Sequence, residues 1–262
     1  MKFAFKHIVA TAAFVAAGAA NAASVTIDNL SSAADRYTVG GAGALTFSTN
    51  LRNALNIGSV AASAFGGAES QIVGPAGAYT NITVSAPVIS ITYDDTTNQV
   101  ISVKTLGGAR QDAKLVAGVS NGGWVEVGNL DVNLQTKEIF GTIVGQSLAG
   151  VDVNWSGKLF DFASVTGDTL IQMGLALATV NTLTLTNASY AEIKKALDLQ
   201  FLGDVSLQAA AADFGNISMA FGIPGLLTPF PPPTAVVPEP STYALMGLGL
   251  VGLALARRRA GT

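Results

Sequence analysis

Residues 81–103 read NITVSAPVISITYDDTTNQVISV. Ile82 and Val84 alternate with Thr83 and Ser85. Ile89, Ile91 and Tyr93 alternate with Ser90 and Thr92, and Val100-Ile101-Ser102-Val103 resumes after Asp94-Asp95-Thr96-Thr97-Asn98. Successive side chains of a strand point to opposite faces, so two period-two runs joined by a short Asp/Thr/Asn segment predict a β-hairpin. Working outward, segments 124–127, 130–134, 139–144, 151–155, 159–162 and 182–186 show similar β-branched, Gly/Asn-punctuated patterning. Together they predict a mainly β domain, an antiparallel β-sandwich or barrel.

Two segments read as helices. Ser189-Tyr190-Ala191-Glu192 has a capping-box pattern, and Tyr190, Ile193, Leu197 and Phe201 then share a face that excludes Lys194, Lys195 and Asp198. One amphipathic helix through Phe201, packed on the sheet, is expected there. A shorter helix is expected over 50–57, stopped by Gly58. Residues 59–78, rich in Ala and Gly, read as loop, as does Gly40-Gly41-Ala42-Gly43, which lacks the spacing of a phosphate-binding turn. Asn129-Leu130-Asp131-Val132-Asn133-Leu134 is echoed by Gly150-Val151-Asp152-Val153-Asn154-Trp155. Lys137 and Lys158 follow at one offset, then Ile139-Phe140 and Leu159-Phe160. The echo suggests two similar hairpins in a local β-meander, because two copies are too few for a solenoid.

Both ends read as addresses. Lys2 and Lys6 precede an apolar run, and Ala20-Asn21-Ala22 supplies the small residues that a signal peptidase reads. Residues 1–22 are therefore expected to be a signal peptide, cut between Ala22 and Ala23. The only histidine, His7, lies inside it. At the other end, a proline-rich segment (228–240) closes with Val237-Pro238-Glu239-Pro240. Uncharged residues then run from 240 to 256, followed by Arg257, Arg258 and Arg259. As a helix, that run would span about 26 Å against roughly 30 Å of hydrocarbon, enough for a C-terminal transmembrane helix if the arginines snorkel. Under the positive-inside tendency those arginines form a cytoplasmic stop, with residues 23–227 exported as a β-rich domain.

The tail from 237 to 262, with Pro-Glu-Pro, glycine-dotted apolar stretch and triple arginine in order, closely resembles the PEP-CTERM sorting signal, also known as the C-terminal domain of an ice-binding protein. The resemblance implies recognition by a membrane-embedded exosortase of exopolysaccharide-making Gram-negative bacteria, with Pro238, Glu239 and Pro240 as the recognised residues. It also implies transient anchoring in the inner membrane before display at the cell surface or release. Prolines hold such a segment extended and keep its backbone accessible to a protease.

Composition narrows what lies between. Of 262 residues only 12% are charged, against roughly a quarter in ordinary chains, and the formal net charge is −3. With the terminal lysines and arginines set aside, the middle is more acidic still, which disfavours nucleic acid as a partner. Without cysteine, and without histidine after cleavage, Ser-His-Asp and Cys-His catalysis and imidazole or thiolate zinc sites are chemically closed. Paired carboxylates from Asp94, Asp95, Asp131, Asp152 and Asp161 would serve a glycan hydrolase. Asp131 and Asn133 with Asp152 and Asn154 would offer calcium oxygen ligands on neighbouring strands. Trp124 and Trp155 would stack on sugars if exposed, and Thr182, Thr184 and Thr186 would form a hydroxyl row. Each has a plainer reading as turn, wet face or core. The sequence thus predicts a non-enzymatic exported protein without cofactor or metal, structural or adhesive in the extracellular polysaccharide. Signal peptidase and exosortase are its expected processing partners. The alternatives are a carbohydrate- or calcium-binding module and a carboxylate-dependent hydrolase.

Overall fold

The computed structural model describes residues 24–29, 38–172 and 174–223. The expected signal peptide, proline-rich linker, Pro-Glu-Pro motif and transmembrane helix lie outside them. Among the described residues no helix is long and apolar enough to cross a membrane. In chain order the elements are β1 (Ser24–Asp28), β2 (Gly40–Phe47), α1 (Thr49–Ile57), β3 (Ala61–Phe65), β4 (Glu69–Val73), β5 (Asn81–Asp94), β6 (Val100–Thr105) and β7 (Gly108–Ala113). They continue with β8 (Gly123–Asn133), β9 (Glu138–Ser147), β10 (Asp152–Gln172), β11 (Leu175–Leu185), α2 (Asn187–Ala196), α3 (Phe201–Ala211) and β12 (Gly215–Gly222).

Eight strands close on themselves in the order β5-β2-β12-β11-β10-β9-β8-β6 and back to β5, each pair antiparallel. Of the two architectures the sequence allows, the chain adopts the barrel. Closure removes most free edges from a sheet that alternation alone would leave open. The 81–103 hairpin is β5–β6, and its turn is held by Asp94 Oδ1, which accepts the amides of Thr96 (2.9 Å) and Thr97 (2.8 Å). The two alternating runs of β5 differ in phase, even-numbered then odd-numbered. A bulge at Ile89 reconciles them: Val88 faces Thr105 and Ser90 faces Lys104. Ile82, Val84, Ile91 and Tyr93 are consequently all buried.

The barrel widens toward one end. β6 joins β8 only through 102–104, after which β7 continues along the same edge of β8 and diverges from β5. Asn129 pins the change, with φ 52° and its side-chain oxygen accepting the Gly107 amide at 2.9 Å. β4 extends the sheet beside β5 and β3 beside β7. The segment 59–78 expected as loop thus contains two strands. Its Ala and Gly content hid them because half-exposed flanking strands need little apolar surface. Gly40-Gly41-Ala42-Gly43 is likewise strand, the start of β2. There the Gly41 Cα lies so close to the Ala220 carbonyl that a Cβ would meet it at 2.1 Å.

Helices occupy the wider end. Leu51 and Leu55 of α1 and Leu207 of α3 are buried, and Phe214 lies between Phe160 (ring centroids 5.0 Å) and Phe47 (6.3 Å). Below them Ile82, Val103, Val125, Ile139, Ile143 and Leu183 fill the lumen at zero exposure. The single helix expected through Phe201 is two. α2 ends at Ala196, Asp198 turns left-handed (φ 42°), and α3 begins at Phe201, which is 77% exposed rather than packed on the sheet. A competing loop causes the break: Asn121 N–H donates to Asp198 O (3.0 Å) and Gln200 N–H to Val119 O (2.8 Å). The cap also moves, from Ser189 to Thr186, whose Oγ1 accepts the Ser189 amide at 3.3 Å. Ser189 is buried and donates its hydroxyl to Leu159 O. The sequence echo is a meander, β8-β9-β10, but its copies are not similar hairpins. One spans the β8–β9 turn; the other runs through a single bulged strand, β10.

A polar cleft where two strands part

β11 and β12 pair as far as Val180 opposite Ile217, and contact resumes where Phe214 N–H donates to Leu183 O at 2.7 Å. Between these points the strands part. Thr182 takes a left-handed backbone (φ 54°), rare and strained for a β-branched residue. The gap and the start of α1 enclose an open cleft of about 370 Å³, lined by Ser48, Thr49, Asn50, Arg52, Asn181, Thr182, Asp213 and Asn216 among others.

Its parts are fixed by local bonding. Ser48 caps α1, accepting the Leu51 amide at 3.1 Å and donating to Asp213 O, which ties the helix start to the β12 approach. Arg52 folds back, Nη2 donating to Thr49 Oγ1 at 3.0 Å, and among the described residues no carboxylate forms an ion pair with it. Asn181 donates to Thr166 Oγ1 at 3.1 Å. The cleft opens onto the outer sheet face. Register places Glu69, Ser85, Ala44, Ser218, Thr179 and Thr166 in one unbroken row across six strands. In the next row Gln71, Thr83, Thr46 and Asn216 run to one edge of the cleft, and Asn181 with Ser164 stands on the other. Hydroxyls and amides dominate both rows, so the chemistry available is neutral hydrogen bonding, with Arg52 and Asp213 as opposite charges at the margin.

The residues nominated from sequence are scattered. Asp94 organises its turn, and the Thr97 amide holds its carboxyl below the usual range. Asp161 and Glu138 share Lys158, at 3.0 and 3.3 Å. Asp131 pairs with Lys104 at 3.5 Å, Asp152 accepts from Gln146, and Asp95 accepts from Thr96. Asp131 faces Phe140 near one end of β9, whereas Asp152 faces Gln146 near the other. With β9 between their strands, the two Asp-x-Asn pairs do not converge as neighbours, and Asn133 instead caps the β8–β9 turn. Among the described residues no group of three or more His, Cys, Asp or Glu could hold a metal ion.

Both tryptophans are half-buried rather than core. Trp124 lies under the Arg110 guanidinium at 4.3 Å, and Arg110 also bridges Asp112 and Glu126, which raise its pKa. Trp155 lies over the Gly157 backbone. The threonine row breaks apart: Thr182 enters the cleft, Thr184 points to Ala212 O and Thr186 caps α2. Sequence reasoning missed the other cleft residues. The only local signal was Ser48-Thr49-Asn50 ahead of an apolar-periodic run, a helix start.

The described residues thus form a helix-plugged antiparallel β-barrel with an open, neutral hydrogen-bonding cleft. Comparison adds that the chain carries the PEP-CTERM protein-sorting motif at residues 236–259, in agreement with the resemblance read from the tail. This motif supports export, membrane passage and processing by an exosortase. Among solved structures, the chain is similar to the C-terminal domain of HtaA from Corynebacterium glutamicum, at 10% identity and TM-score 0.41, over 71% of this chain and 99% of that one. It is also similar to the heme binding protein HtaB of that organism, at 12% identity and TM-score 0.46, over 77% and 97%. A search of curated proteins finds no match.

Proposed function

We propose that this is a non-enzymatic protein of the exopolysaccharide layer, structural or adhesive in role, whose barrel holds glycan in the cleft between β11 and β12. The observation that carries the reading is the cleft itself: about 370 Å³, open, and lined mainly by hydroxyls and amides with Arg52 and Asp213. Such donors and acceptors match sugar hydroxyls, and an open site admits a polymer where an enclosed pocket would not. The sorting motif supplies the context, because exosortase processing delivers the barrel to the surface. On this reading Pro238, Glu239 and Pro240 are the exosortase's recognition residues. Arg257, Arg258 and Arg259 hold the tail at the cytoplasmic face until processing.

The test is binding of the secreted protein to a panel of bacterial exopolysaccharides, alongside Asn216→Ala and Arg52→Ala. Retention of wild-type protein and weaker retention of both variants is the expected result. No retention on any glycan would remove the reading, and turnover of a glycan would remove its non-enzymatic part.

A further inference from the structure

The two rows that leave the cleft have a geometry no single strand shows. Glu69, Ser85, Ala44, Ser218, Thr179 and Thr166 stand side by side on β4, β5, β2, β12, β11 and β10. Beside them Gln71, Thr83, Thr46 and Asn216 run from β4 to the cleft, with Asn181 and Ser164 across it. At about 4.8 Å between strands the unbroken row covers about 24 Å, with its neighbour about 7 Å away. Neighbours within the array bond to one another: Thr46 to Thr83 (3.2 Å), Thr179 to Ser218 (3.4 Å), and Asn181 to Thr166 (3.1 Å). Such cross-strand bonds fix hydroxyl directions before a ligand arrives, which lowers the ordering cost of binding.

Resting on the glycan reading, we propose that the ligand is an uncharged polysaccharide bound along its length, running from the cleft across the strands to β4. Three features select this occupant. Glu69 is the only charged residue in the two rows, and Asp213 offsets Arg52 in the cleft, so an acidic polymer gains little. Apart from Glu69 and Gln71 at the β4 end, the side chains in both rows are short, so between the cleft and β4 no wall closes on a chain end and internal segments fit. The array also lacks large apolar side chains, unlike the core of a protein–protein interface. Its span accommodates an oligosaccharide rather than one ring, and affinity therefore grows with chain length until the row is covered.

The experiment is calorimetric titration of the secreted protein with a disaccharide-to-hexasaccharide series of a neutral glucan, and with a polyuronate. Gln71→Ala and Thr83→Val are compared with Ser156→Ala, an exposed residue of β10 outside both rows, opposite Thr142 of β9. Affinity should rise along the neutral series. Gln71→Ala, at the far end, should weaken the hexasaccharide about tenfold, equivalent to one or two lost hydrogen bonds, while leaving the disaccharide unchanged. Ser156→Ala should have no effect. Equal affinity for all lengths, insensitivity to Gln71 and Thr83, or tighter binding of the polyuronate would each overturn this proposal while leaving a glycan-binding cleft in place. No binding of any member, with no retention on the polysaccharide panel, would remove both.

Discussion

A β-branched side chain in the left-handed region crowds its own backbone, and Thr182 is held there at φ 54° in the gap between two contacts of β11 with the β12 side. Such conformations cost of order 1–3 kcal/mol and persist only where surrounding structure imposes them. Thr182→Gly is therefore expected to stabilise the barrel by about 1 kcal/mol, raising Tm by about 2–4 °C in a domain this size. If the Thr182 hydroxyl contacts glycan, the same variant binds less tightly, so calorimetry and glycan titration should move in opposite directions. A second residue-scale prediction concerns Tyr190, whose hydroxyl bonds Asp204 while Lys194 approaches the other carboxylate oxygen at 2.8 Å. Burial, then the Asp204 hydrogen bond, pushes the phenol up to about 12; Lys194 and Tyr190 hold Asp204 below its usual range. A raised folded pKa contributes stability that is present below the unfolded value near 10 and lost as pH climbs toward 12. For Asp204 the loss comes at the acid end, as pH falls through its lowered pKa. Tyr190→Phe should flatten the alkaline limb of a pH–Tm profile and shrink the acid limb without removing it, because Lys194 still holds Asp204 low.

Between elements, alternation revealed most strands of the barrel wall, β2 and β12 excepted, while bonding across the chain decided where helices start and stop. β5, β6, β8, β9 and β10 were legible because each presents apolar residues to the lumen at period two. β2, β3 and β4 were not. Their inward positions are largely Gly, Ala and Ser, which close contact with neighbouring strands permits and a hydropathy pattern cannot register. The helix break at 197–200 was invisible for another reason: its cause, residues 119–121, lies far away in sequence. Thr186 shows how an element boundary is set. Its Oγ1 donates to Lys158 O at 2.8 Å and accepts the Ser189 amide, joining α2 to β10. Thr186→Ala removes an N-cap and leaves a partly buried carbonyl short of a donor, for an expected loss of about 1–2 kcal/mol by denaturant unfolding. Thr186→Ser should recover most of that loss.

For the whole molecule, closure of the sheet brings together what sequence keeps apart. The cleft joins residues near 50, 181 and 215, and its outer row adds 71 and 83, so no motif search along the chain could have assembled it. The sorting signal is the opposite case, a contiguous segment that a protease reads locally and that was fully legible at 237–262. That difference makes the two parts separable by experiment. Replacing Pro238 and Glu239 with alanine in a host carrying the exosortase should leave the full-length protein in the membrane fraction, detected by its higher mass on immunoblot. The substitution lies outside the barrel strands. Solubilised variant should therefore bind neutral glucan with wild-type affinity, and Asn216→Ala should be sorted normally yet bind poorly. Normal processing of the tail variant would show that Pro238 and Glu239 are not what the exosortase reads. Failed sorting of Asn216→Ala would mean instead that export depends on the state of the barrel, and the two parts would have to be treated as one device.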